Sequence, residues 1–233
     1  MAQIIDNIST IASNYDVIVL DQYGVLHDGK DPYANAIECL NNLTKNGTRL
    51  AVLSNSGKRS DTNTARIVSM GFAPSLFEFV MTSGEAMWQD ILNGTIVEQH
   101  FFSIESNSGD AINWAKGLNI KFENSVKTAQ AILLMGIPDD HSTLQLQDIL
   151  DQAFTKNLPI YCSNPDLFSP RAGGQIVVSP GTLAHSYRKR GGKVIFYGKP
   201  HKPIFDGLKK ELNANRLLMV GDSLDHDIVG GHT

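Results

Sequence analysis

Short apolar runs that stop at turn-forming or charged residues, each followed by helical spacing, recur along the chain. The run Val17–Leu20 ends at Asp21, residues 50–53 break into Ser54, Asn55, Ser56 and Gly57, and Phe79–Thr82 leads to Ser83 as a helix cap. Between these runs, Asp31 and Pro32 mark a helix start that carries Ile37, Leu40 and Leu43 toward Gly47. A second helix is predicted over about residues 61–70, stopped by Gly71. The middle of the chain keeps the rhythm, with strands predicted at 131–135, 159–162 and 175–178 and a helix at 142–156. The last block returns to the first style. Residues 194–197 end at Gly198, Lys199 and Pro200, a helix follows over 203–212, and Leu217–Val220 ends at Gly221 and Asp222. Strands alternating with helices predict parallel βαβ units with right-handed crossovers, hence an α/β fold built on a doubly wound parallel sheet.

Four of the runs carry polar residues just past their C-terminal ends: Asp21, Ser54, Lys199 and Asp222. Open parallel sheets bind ligands in the crevice at those ends, so residues far apart in sequence would converge on one site. The stretch from Ser54 to Lys199 is far longer than one crossover needs. It predicts a core of residues 1–83 and 180–233, with residues 84–179 inserted as a smaller α/β domain over the crevice.

Composition narrows the function classes. The 233 residues are 42% hydrophobic and 19% charged, enough apolar matter for a buried core. With 24 acidic against 20 basic residues the formal charge is −4, which removes the broad electrostatic reason to expect nucleic acid or an anionic membrane as partner. No apolar run reaches the length of a membrane span, and the N-terminal residues lack the basic start and apolar stretch of a signal peptide. Two cysteines, Cys39 and Cys162, are too few for a disulfide framework and suggest a reducing, cytoplasmic setting. Cys39, on an apolar helical face, is expected to be buried.

Carboxylates at Asp21 and Asp222 would make an acidic pocket suited to a hard cation such as Mg²⁺. Lys199 adds a fixed positive charge, and Ser54 with nearby backbone N–H groups offers donors to phosphoryl oxygens. Asp21 could then attack phosphorus and form an aspartyl-phosphate that water later hydrolyses. The strand-end residues also have plainer readings as turns and caps, and Asn164, Pro165 and Asp166 read equally well as a plain turn.

The segments LDQYGVLHDG, LSNSGKR, YGKP and GDSLDHDIVGG, in that order, resemble the four motifs of the haloacid dehalogenase superfamily. TSGEAMW, SNPD and SPGTLAHSY resemble its class IIA branch, which inserts an α/β cap between the second and third motifs. The resemblance covers nearly the whole chain. It implies a Mg²⁺-dependent hydrolase of a small phosphomonoester, such as a sugar phosphate, with Asp21 as nucleophile and metal ligand. Ser54, with Asn55 beside it, would hold the transferred phosphoryl group, and Lys199 would neutralise it. Asp222 would be the second carboxylate on the metal, supported by Asp227, while Tyr23 would offer its backbone carbonyl. Asn164 and Asp166 of the cap would lie near the leaving group, and the family implies pairing of two copies through the cap.

Tyr23 stands where such phosphatases carry a second aspartate, the acid and then base for the leaving oxygen. Loss of that group costs about 10²–10⁴-fold in rate. His27, His201 and His226 are possible substitutes. The Asp-x-(Trp/Tyr)-Gly form of the first motif is similar to that of one class IIA subgroup, and also to that of the metal-independent dehalogenases that displace halide from carbon. A catalytically weak protein that only binds a phosphorylated metabolite is the reading from another class. The family also implies a further core strand after the fourth motif, for which the sequence past Asp227 leaves little room.

Overall fold

The computed structural model describes residues 4–138, 143–170 and 176–231. The loop at Arg171, Ala172, Gly173 and Gly174, which the sequence reads as either a lining of the cap's substrate face or a plain exposed loop, lies outside them. So do the last two residues.

In chain order the strands are β1 (Val17–Leu20), β2 (Arg49–Ser54), β3 (Phe79–Thr82), β4 (His100–Ile104), β5 (Lys121–Phe122), β6 (Ala131–Leu134), β7 (Ile160–Cys162), β8 (Phe168–Pro170), β9 (Ile176–Val178), β10 (Val194–Phe196) and β11 (Leu217–Val220). They form a four-stranded parallel sheet in the order β11-β1-β2-β3 and a five-stranded parallel sheet in the order β10-β7-β6-β4-β5. Strands β1, β2 and β3 of the first sheet are apolar at successive positions because both their faces are covered, while the edge strand β11 is half-buried. Val17 and Val19 face one apolar cluster while Ile18 and Leu20 face another. The helix Lys202–Leu212 buries Ile204, Phe205, Leu208 and Leu212, a stripe at helical spacing, toward the first of these clusters. Ala36–Lys45 and Ser60–Ser69 cover the opposite face with Leu40, Leu43 and Ile67.

The cluster on the Val17 face does not stop at the first sheet. It runs through Met81 and Met87 to Phe101, Trp114, Leu133 and Tyr161 of the second domain. Trp114 is buried and its indole N–H donates to the Gly84 carbonyl at 3.0 Å.

The structure departs from the sequence expectations at several points. The strand β10, expected in the core sheet, pairs with β7 of the second sheet. The change of sheets therefore falls just before Lys199 and not at residues 179 and 180. A three-residue Val-Ile-Phe run specifies burial but not which sheet it joins. The run expected at 175–178 is half of an antiparallel hairpin, β8 with β9, and not a unit of the parallel sheet. The strand β4 was not expected, because His100 and Ser103 interrupt its apolar run. Nor was β5, which has only two residues. The helix expected from Asp31 begins at Ala36, because the Asp28 carboxylate accepts from Lys30 and Asp31 N–H and holds residues 28–31 as a turn. The cap residue of the helix Ser83–Leu92 is Thr82, whose hydroxyl accepts from Glu85 N–H. Cys39 is exposed and Cys162 buried. Among the described residues no helix is long and apolar enough to cross a membrane.

Candidate active site

The strand β1 delivers Asp21 and β11 delivers Asp222 at the same end of the first sheet, since β1 and β11 run parallel in register. Lys199 arrives from the other sheet, just after β10. Its side chain is 2% exposed, and its ammonium lies 2.7 Å from Asp21 Oδ1 and 2.7 Å from Asp227 Oδ1. Asp227 is fully buried, and its second oxygen accepts from Ser223 N–H at 3.1 Å. One buried ammonium thus sits between two carboxylates, the arrangement under which charges of either sign tolerate burial. Burial nonetheless pushes the Asp21 carboxyl above its ordinary value, with the Lys199 charge opposing that rise.

Asp21, Asp222 and Asp227 place carboxylate oxygens within 4.8 Å of one another. Asp222 fits against Gly24, whose φ is +87°, and a Cβ there would lie 2.1 Å from Asp222 Oδ2. Only glycine leaves room for that carboxylate and adopts that backbone without strain. The donors suit Mg²⁺: hard oxygens, clustered, with Asp222 making no hydrogen bond or ion pair to any described residue.

The second wall comes from the loop after β2 and the turn after β7. Ser54 Oγ faces Ser56 N–H at 3.4 Å. Asn55 is committed at both ends, its oxygen accepting from Lys199 N–H at 2.7 Å and its nitrogen donating to Asp166 Oδ1 at 2.7 Å. Asn164 Oδ1 accepts from Asp166 N–H at 2.9 Å and shapes the turn. Asp166 also lies 3.6 Å from His226 Nε2. Burial raises its carboxyl pKa, against the pull of Asn55 and His226. Gly198 permits the approach of this turn, since a Cβ there would meet Pro165 at 2.4 Å.

These groups line one cleft of about 810 Å³. All the residues proposed from sequence except Asp227, which stands behind Lys199, are on its wall: Asp21, Tyr23, Ser54, Asn55, Asn164, Asp166, Lys199 and Asp222. His27 and His226 also line it. His201 does not, being stacked on Phe196 with ring centroids 4.8 Å apart. Sequence reasoning missed Gln22, Arg66 and the hairpin residues Phe168 and Ser169. Gln22 directly follows Asp21, which was a usable signal, whereas nothing in the spacing of Arg66 on its helix points to a cleft.

Two family models match the chain: the haloacid dehalogenase-like hydrolases over residues 18–104 and a second HAD-like hydrolase model over 196–233. A haloacid dehalogenase-like hydrolase from Brucella suis superposes with a TM-score of 0.84 at 24% identity, covering 99% of this chain and 89% of that one. Over those two segments the chain matches the haloacid dehalogenase-like hydrolases, and its fold is similar to theirs throughout. Its five-stranded parallel sheet is built from chain that lies between β3 and Lys199. Bovine (Bos taurus) chronophin is 24% identical over 227 residues, spanning 92% of this chain and 77% of its own. A glycerol phosphate phosphatase from Mycobacterium tuberculosis, solved in complex with magnesium, superposes with a TM-score of 0.75 at 20% identity, covering 95% of this chain and 66% of that one.

Proposed function

We propose that this hydrolase cleaves a small phosphomonoester, with Mg²⁺ as cofactor and Asp21 as nucleophile. The observation that carries the reading is the buried Lys199 ammonium held between Asp21 and Asp227, beside the partner-free carboxylate of Asp222. The magnesium-bound glycerol phosphate phosphatase of similar fold supports the same chemistry. Asp21 and Asp222, with the Tyr23 carbonyl, would hold the cation, which when bound would screen the carboxylates from an anionic substrate.

The chain's own residues supply the rest. An Asp21 oxygen forms a bond to phosphorus as the ester P–O bond breaks. The leaving oxygen takes a proton from the wall formed by Tyr23 and His226. Lys199 and the Ser54 hydroxyl balance charge on the phosphoryl oxygens. Asn55 positions, holding the Lys199 backbone and the Asp166 carboxylate at once. Water then attacks phosphorus and Asp21 departs as carboxylate, freeing phosphate. Carbon–halogen hydrolysis is the weaker reading, because three clustered carboxylates sharing only the Lys199 ammonium would disfavour ionised Asp21 without a metal ion.

The test is phosphate release from a broad panel of phosphomonoesters, with and without Mg²⁺, alongside Asp21→Asn and Tyr23→Asp. Release that requires Mg²⁺ and disappears in Asp21→Asn supports the proposal, and faster release by Tyr23→Asp would show that the missing aspartate limits turnover. Folded protein that releases phosphate from no ester in the panel, or that retains full activity in Asp21→Asn, overturns it.

A further inference from the structure

The phosphoryl chemistry above uses one side of the cleft. The side beside Tyr23, lined by Gln22, His27, Gly29 and Arg66, is left without a task. His27 is 1% exposed, and its Nδ1 accepts from Gly29 N–H at 3.0 Å. The ring proton of the neutral imidazole therefore sits on Nε2. That Nε2 has no hydrogen-bond partner among the described residues, and neither has Nε2 of Gln22, which is 4% exposed. Buried donors left unsatisfied are rare in folded proteins and costly to keep. Here two of them occur on one cleft wall.

A third donor stands with them. Arg66 Nη2 donates to the Gly29 carbonyl at 3.0 Å, and the same glycine holds His27 through its N–H. The guanidinium forms no ion pair with any described carboxylate, although its planar fork carries five N–H groups. Asp28 forms no ion pair with Arg66 or His27; its Oδ1 accepts from Lys30 and Asp31 N–H at 2.9 Å each. An imidazole N–H and an amide N–H without acceptors, and a guanidinium without an ion-pair partner among the described residues, thus line one wall.

We propose that His27, Gln22 and Arg66 form a subsite for a second anionic group, a carboxylate, carried on the leaving portion of the substrate. This rests on the reading that the phosphoryl group is received by Asp21 and Lys199. Arg66 supplies charge and a bidentate fork, while His27 and Gln22 supply single donors that gain their missing partners when the carboxylate arrives. A site built of donors rejects an analogue that lacks the acceptor, because its polar groups then stay unpaired. The selectivity of the enzyme is therefore for phosphate esters of hydroxy acids over those of plain alcohols.

The test is a binding measurement that does not require turnover. Asp21→Asn full-length protein with Mg²⁺ is titrated calorimetrically with the phosphate ester of lactate and with propane-1,2-diol 2-phosphate, which differ by a carboxylate against a hydroxymethyl group. The expected result is tighter binding of the lactate ester by at least about tenfold. Adding Arg66→Ala, an exposed position, should reduce that ratio to less than about threefold, and Arg66→Lys should restore part of it. Adding His27→Phe should lower the ratio as well, with folding checked by circular dichroism. Equal affinities in Asp21→Asn, or an unchanged ratio after Arg66→Ala, overturn the proposal. Selective binding by a protein that hydrolyses no ester would sustain the subsite and refute the phosphatase reading. Hydrolysis without selectivity would do the reverse.

Discussion

The two parallel sheets are built by the same alternation of apolar runs and helices, yet their strand ends behave differently. At the end of the five-stranded sheet, Glu105 follows β4 and folds back on its own loop, accepting from Gly109 and Ala111 N–H at 2.9 and 2.6 Å. At the end of the four-stranded sheet, Asp21 and Asp222 line the cleft, and Asp21 depends on a lysine that follows a strand of the other sheet. The β4 end satisfies its polar groups locally and is structural, unlike the β7 and β10 ends of the same sheet, which give Asp166 and Lys199 to the cleft. The β1 end leaves its carboxylate to be satisfied across domains, so the ion pair that shapes the site also joins the two sheets. Charge that is not settled within its own loop marks the functional end.

The sharpest way to break this comparison is to remove the shared cation. Lys199→Met leaves Asp227 buried without its partner, a loss that costs about 3–5 kcal/mol. Urea unfolding at neutral pH should show a fall of that size, and phosphate release should drop by at least about a hundredfold. A stability loss under 1 kcal/mol would mean that the two sheets do not depend on this pair. Replacing Asn55 by Ala sharpens the picture at a lower level. It removes the hydrogen bonds to Lys199 N–H and to Asp166, and unfolding should register about 1–3 kcal/mol.

The smallest effect expected concerns acid. Burial, aided by the charges of Arg188, His185 and His226, lowers the His201 pKa to about 4. The unfolded chain then binds a proton that the folded chain refuses, so stability is lost as pH falls from about 6.5 toward 4. For this partly exposed ring the loss is on the order of 1 kcal/mol, or about 2–4 °C in Tm. Thermal melts across that window should show a shallower acid slope for His201→Phe than for the parent. His27, also lowered by burial, keeps some slope in both proteins.

Much of the core was legible because β1 and β3 are buried on both faces and the half-buried β11 is apolar throughout, so Val17–Leu20, residues 79–81 and Leu217–Val220 stand out as apolar runs. The site was legible for a related reason, since polar residues directly after such runs can only lie at the strand ends. The cap was harder. Its β4 contains His100 and Ser103, and the apolar residues Phe168, Ile176 and Val178 of the hairpin are exposed, against the rule that apolar runs are buried. Sheet membership of β10 depends on partners far away in sequence, which a single run does not encode. The donor wall at Gln22, His27 and Arg66 was hidden because its meaning lies in missing partners, a property of the folded chain alone.

The central claim is that Asp21 carries the phosphoryl group between the two half-reactions. Rapid acid quenching of the enzyme during turnover of its best phosphomonoester with Mg²⁺, followed by peptide mass analysis, tests it most directly. The account predicts a single phosphoryl adduct on the peptide containing Asp21, absent from Asp21→Asn. Steady phosphate release with no adduct on that peptide at any quench time, and with activity surviving in Asp21→Asn, would contradict it.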